Sequence, residues 1–141
     1  MNRIWSALLA ASAALAACGG YTAPTDGGNV APPTAAPNDI RIVVGASQLT
    51  TTAFSPNPKV ASLGGNASVA VRWVNGDISG GGDYITGTAT AHTIVSDDGA
   101  FTSSGSLGGN GTFSATLNAP GSYSYHCGIH SNMVGTVTVN P

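Results

Sequence analysis

Tyr123-Ser-Tyr-His-Cys127-Gly-Ile-His130-Ser-Asn-Met133-Val-Gly135 is the stretch on which the rest of the chain is read. It sets a thiol, an imidazole and a thioether at the spacing Cys-x2-His-x2-Met. Soft sulfur donors mixed with imidazole suit copper, and two His with one Cys and a weak axial Met make up the donor set of a redox copper centre. The run supplies Cys127, His130 and Met133, so a second imidazole must come from elsewhere. The chain has three His, which leaves His92 and His126. In an extended segment Tyr123, Tyr125 and Cys127 share one face while Ser124 and His126 point to the other. His126 therefore faces away from the donor set, and His92 is the expected second imidazole.

Working outward from that run, the pattern is β. Ile40 to Val44 alternates and then runs apolar, and Val69 to Val74 alternates cleanly. Thr112 to Leu117, Ser122 to Cys127 and Val134 to Val139 follow, separated by turn clusters at Leu63-Gly-Gly-Asn66, Asp97-Asp-Gly99 and Gly108-Gly-Asn-Gly111. Nothing after the N-terminal region shows a helical period. Short strands between Gly-rich turns predict an all-β sandwich or barrel.

The 141 residues leave room for one domain, and only 7% of them are charged. Small polar residues on outer strand faces, as in exported β proteins, account for so few charges. A net charge of −2 without a Lys/Arg cluster excludes nucleic-acid binding. The two cysteines, Cys18 and Cys127, could pair by arithmetic, but each has its own explanation.

Residues 1–17 combine Arg3 with about 14 apolar residues, the form of a secretory signal and too short for a transmembrane helix. Leu15-Ala-Ala-Cys18 resembles the bacterial lipobox, which makes Cys18 the expected lipidated first residue of the mature protein. Two or three acyl chains hold a protein firmly to a membrane, so the expected location is the extracytoplasmic cell envelope. Gly19, not Asp, follows Cys18, which favours the outer membrane where a cell has one. Residues 18–37 lack any periodic apolar pattern and read as a flexible tether, with its ends roughly 25 Å apart. The domain proper is expected over 38–141.

Taken together, His92-Thr-Ile-Val-Ser-Asp-Asp-Gly99, Ala119-Pro-Gly-Ser-Tyr123 and the Cys-His-Met run resemble the cupredoxins, the type 1 (blue) copper proteins of the plastocyanin/azurin superfamily. The short ligand loop is similar to that of amicyanins and pseudoazurins. The resemblance implies a Greek-key β-sandwich of about eight strands and one copper held by His92, Cys127, His130 and Met133. It also implies that the backbone of Thr93 donates toward the Cys127 sulfur. The His130 ring edge would emerge through an apolar patch with Ile129 and Met133, where partners dock, and Tyr123 and Tyr125 would pack beneath the site. Trp73-Val-Asn75-Gly-Asp77 matches a family stretch that ordinarily lies a few residues before the His. Here residues 78–91 intervene and read as a Gly-rich insertion, with an extra strand suggested at Tyr84 to Thr90. That departure leaves open which residue, Asn75 among the candidates, supports the copper ligands.

One copper with four protein ligands leaves no open position for a substrate, so the resemblance implies an electron carrier and not an enzyme. The extra His clusters of multicopper oxidases cannot be built from three His. The implied partners are redox proteins such as a cytochrome, an oxidase or a reductase, met by a membrane-tethered monomer. A second reading keeps the ligands but makes the protein an extracytoplasmic copper chaperone or buffer that delivers the metal to an oxidase. A third is a metal-free surface sandwich, against which the order and spacing of the four ligands argue.

Overall fold

A computed structural model describes residues 35–78 and 89–141. Eight strands, β1 (Asp39–Ile42), β2 (Phe54–Ser55), β3 (Lys59–Ser62), β4 (Val69–Asn75), β5 (Val95–Ser96), β6 (Thr112–Leu117), β7 (Gly121–His126) and β8 (Val134–Asn140), form two four-stranded sheets. One sheet runs β2-β1-β4-β6, the other β3-β8-β7-β5. Of the chain's connections, β1–β2 and β7–β8 stay within one sheet and the rest cross between them. The expected β-sandwich of about eight strands is what the described residues build. There is no α-helix among the described residues, which hold one 3-10 turn at Ala46–Gln48.

Alternation explains the strands and the core together. In β8 the inward positions are Gly135, Val137 and Val139, and in β4 they are Val71 and Trp73. Trp73 is the hub, with its ring 5.2 Å from Tyr125, 5.5 Å from Phe101 and 5.7 Å from Phe113. Phe54 closes on Tyr125 edge-on at 4.9 Å. Such pairs each contribute about 0.5–1.5 kcal/mol beyond the area they bury. Tyr125 lies opposite Gly135 in the β7–β8 ladder, and a Cβ on Gly135 would stand 2.3 Å from the Tyr125 ring. Glycine is required there by close approach.

The parallel β1–β4 pairing sets Asp39 beside Arg72, which grips the carboxylate with Nε at 2.8 Å and a terminal nitrogen at 2.6 Å. That fork holds the Asp39 carboxyl below its usual range. Ala36 and Pro37, the end of the stretch read as tether, are bonded to the sandwich. The Ala36 N–H donates to Asp39, and Lys59 Nζ donates to the Pro37 carbonyl.

Some expectations differ in detail. β2, β3 and β5 were not resolved as separate strands by pattern, because two to four residues carry too little periodicity to read. Tyr125 is fully buried as expected, whereas Tyr123 is only half-buried against the core cluster, its hydroxyl donating to the Ala119 carbonyl at 2.7 Å. The strand suggested for Tyr84 to Thr90 falls largely outside the described residues; Ala89 and Thr90, at its end, are not in a strand. The signal segment, Cys18 and residues 19–34 of the tether also lie outside them. Cys127 is a free, buried thiol.

Candidate metal centre

At one end of the sandwich the β4 terminus, the segment opening with His92 and the loop from β7 to β8 meet. His92 is anchored by mutual backbone hydrogen bonds with Leu107, at 3.1 and 2.7 Å. Asn75, fully buried at the end of β4, donates to the Leu107 carbonyl and the Thr90 carbonyl, both at 2.8 Å, and accepts from the Asp77 N–H at 2.9 Å. The Thr90 N–H returns to the Asp77 carbonyl at 3.1 Å. The insertion therefore leaves and rejoins at one point. Asp77 and His92, 15 positions apart, stay in contact.

That contact is a hydrogen bond of 2.9 Å between His92 Nε2 and Asp77 Oδ2, both side chains fully buried. A carboxylate accepts, so Nε2 carries the proton and Nδ1 is the nitrogen turned to the site. Cys127 follows the last residue of β7 and is fully buried, and His130 lies in the tight turn beyond. Three donor atoms converge: Cys127 Sγ is 3.7 Å from His92 Nδ1 and 3.8 Å from His130 Nδ1, and the two nitrogens are 3.3 Å apart. A point equidistant from all three lies about 2.1 Å from each. Imidazole and thiolate bonds to a first-row metal measure roughly 2.0–2.3 Å, so the triangle fits one ion.

Electrostatics favour the metal-binding form of the sulfur. Burial pushes the Cys127 thiol up, but hydrogen bonds from His92 and from the backbone N–H groups of Thr93, His130 and Ile129 outweigh it and bring it down to about 5. The Thr93 N–H stands 3.5 Å from Sγ, as the sequence led us to expect. Burial also works against the His92 imidazolium, yet its contacts with Cys127 and Asp77 prevail and raise its pKa. Thr93 does a second job: its hydroxyl accepts the Gly128 N–H at 2.9 Å and stitches the two walls together.

Met133 is fully buried, its carbonyl accepting the Cys127 N–H and its own N–H donating to the His130 carbonyl, each at 3.0 Å. It is therefore no part of an exposed patch, contrary to expectation; Ile129 and Val134, 52% and 39% exposed, are the apolar side chains flanking His130 in the chain. His126 points away from the site and pairs with Asp97 at 2.5 Å. Sequence reasoning passed over the roles of Asp77 and Asn132. Asp77 was visible inside the Trp73-to-Asp77 stretch, whereas nothing local marks Asn132.

A β-sandwich with a buried thiol and two imidazoles converging at one end defines a small cupredoxin-type metal protein. The family model for copper binding proteins of the plastocyanin/azurin family matches residues 36–140, and the chain belongs to that family. Among solved structures, the purple cupredoxin of Nitrosopumilus maritimus is 25% identical, with 72% of this chain and 98% of that chain covered at a TM-score of 0.57. A reduced Cu(I) form of an amicyanin variant at pH 4 is 18% identical, covering 76% of this chain and 87% of that one at 0.52. An oxidised amicyanin variant gives 17%, 78%, 88% and 0.53 in the same order. No curated protein matches the chain. The cofactor is a single copper ion, for which the His92, Cys127 and His130 cluster is the candidate site.

Proposed function

We propose that this is a blue-copper electron-transfer protein, in which His92 Nδ1, the Cys127 thiolate, His130 Nδ1 and Met133 would hold the copper. The observation that carries the reading is the triangle of donor atoms around a thiol held near its thiolate form. Copper bound there supplies one-electron chemistry by cycling between Cu(I) and Cu(II). The chain's own residues limit how far the ligands move: Asp77 orients His92, Asn75 fixes the strand bridge that carries it, and the sheet end fixes Cys127. His130 is half-buried, beside the exposed Ile129, and offers the surface through which a redox protein partner exchanges electrons. All four ligands come from the protein, which leaves no place for a substrate and argues against an enzyme.

The N-terminal features support a lipid anchor at Cys18 and an extracytoplasmic position on a membrane, with residues 19 onward as the tether. A Cys18→Ser variant is expected to move from the membrane fraction to the soluble one.

The deciding measurement is a visible and EPR spectrum of the full chain after Cu(II) is added. An intense blue to purple band with narrow copper hyperfine splitting is expected, and it should vanish in Cys127→Ser. A pale solution with an ordinary copper signal overturns the reading. A strong band whose copper passes quickly to a competing chelator, without a reversible redox wave, would replace the carrier with a copper-delivery protein.

A further inference from the structure

The two imidazole nitrogens face each other at 3.3 Å, both turned inward. The two rings belong to different walls of the site. The segment from Gly45 to Leu49, built on the 3-10 turn Ala46–Gln48, touches both walls. At its start the Gly45 N–H donates to Asp77 Oδ1 at 2.7 Å, while the other oxygen of that carboxylate holds His92 Nε2. At its end the carbonyls of Ser47 and Leu49 both accept from the Asn132 side-chain amide, at 3.1 and 2.6 Å. Asn132 sits between His130 and Met133, and the turn it belongs to is closed by the Met133 N–H on the His130 carbonyl. The segment is itself kept short and rigid, by Gly45 in the left-handed region (φ 73°) and by the Gln48 and Leu49 N–H groups bonding back to Gly45 and Ala46. Ala46 is fully buried and pins it to the core.

We propose that Gly45–Leu49 is a strap fixing the separation of the two imidazoles, with Asn132 its positioning residue on the loop side and Asp77 its positioning residue on the sheet side. This rests on the copper-site reading above. Asn132 touches neither metal nor ligand ring; it acts by holding the backbone that carries His130 and Met133. Both of its amide hydrogens are used on one segment. An exposed asparagine serving only its own turn would bond locally, as Asn66 does with the Leu63 carbonyl at 2.8 Å.

The test compares the full chain with Asn132→Ala, using Asn66→Ala as a control that also removes a side-chain-to-carbonyl bond. In the metal-free protein, NMR amide exchange should quicken at Met133 and also at Gly45, which Asn132 does not contact. With Cu(II) added, affinity should fall roughly tenfold and the EPR hyperfine splitting should widen, while the thermal midpoint stays close to that of Asn66→Ala. Asp77→Asn, which keeps the size of a fully buried side chain, should quicken exchange at Gly45 and widen the splitting as well. Unchanged exchange at Gly45 in Asn132→Ala overturns the strap. So does a lowered thermal midpoint with unaltered affinity and splitting, which would make Asn132 structural only. Because the exchange measurement needs no metal, a wild-type chain lacking the intense thiolate band would sink the electron-transfer reading and leave the strap to be judged separately.

Discussion

The two walls of the copper site are held by different means. On the sheet side His92, Asn75, Asp77 and Cys127 are all fully buried, and each is fixed by hydrogen bonds out of reach of water. On the loop side Gly128, Ile129, Ser131 and Asn132 are exposed and His130 is half-buried, so that wall depends on a stitch from Thr93 and on the Asn132 amide. Removing a partner costs more where water cannot replace it. The sheet wall is therefore a fixed template, and the loop wall is an adjustable surface kept in place by a few contacts. The proposed electron-transfer role would use both, because ligands must stay put while one edge remains open.

The largest effect should appear in the pH dependence of the metal-free protein, where the sheet wall carries both shifted groups, Cys127 and His92. The folded Cys127 thiol titrates at about 5 against an ordinary 9.0, so between those values the unfolded chain binds more protons and stability rises with pH. Its contribution is full above pH 9 and is lost as pH falls through about 5. His92 is shifted up from 6.5, so its contribution is full below 6.5 and is lost as pH rises through the raised value. Stability should thus climb from about pH 5 to 6.5 and then flatten as the two trends oppose each other. Denaturant titrations across pH would show it, and Cys127→Ser should remove the climb.

Within the sheet wall, Asn75→Ala deletes three hydrogen bonds of a fully buried amide and should cost about 3 kcal/mol in urea unfolding. A cost under 1 kcal/mol would mean that wall is not the template. Gly135→Ala forces a methyl group into the Tyr125 ring beneath Cys127 and should cost about 2 kcal/mol, while Ala is tolerated at Gly108, where nothing lies within 4 Å of the added carbon. On the loop wall, Thr93→Val frees an exposed Gly128 N–H to water and should cost only about 0.5–1 kcal/mol, with the backbone donor to Sγ left intact. If Thr93→Val proved as costly as Asn75→Ala, the distinction between the walls would fail.

Much of this was legible in the chain. Cys127, His130 and His92 carry donor chemistry that a strand end and a tight turn bring into convergence. The six residues from Thr112 to Leu117 were bounded correctly as a strand, because alternation over six positions is a strong local signal. His126 was assigned outward by the same period of two, and it faces Asp97. The three shortest strands were not legible, since their pairing is imposed by neighbours and not by their own pattern. Met133 could be chosen as a ligand candidate from its position, but its complete burial could not.

The sequence by itself determined the metal chemistry, the class of fold and the strand that presents Cys127, since all three depend on residue type and short-range period. Tertiary structure alone decided that Asp77 reaches His92 across the insertion, that Asn75 fixes the bridge to Leu107, and that Asn132 reaches back to Ser47 and Leu49. Those contacts join residues 15 to 85 positions apart. A hydrogen bond over that span depends on where two separately folded segments come to rest, and no local pattern records it.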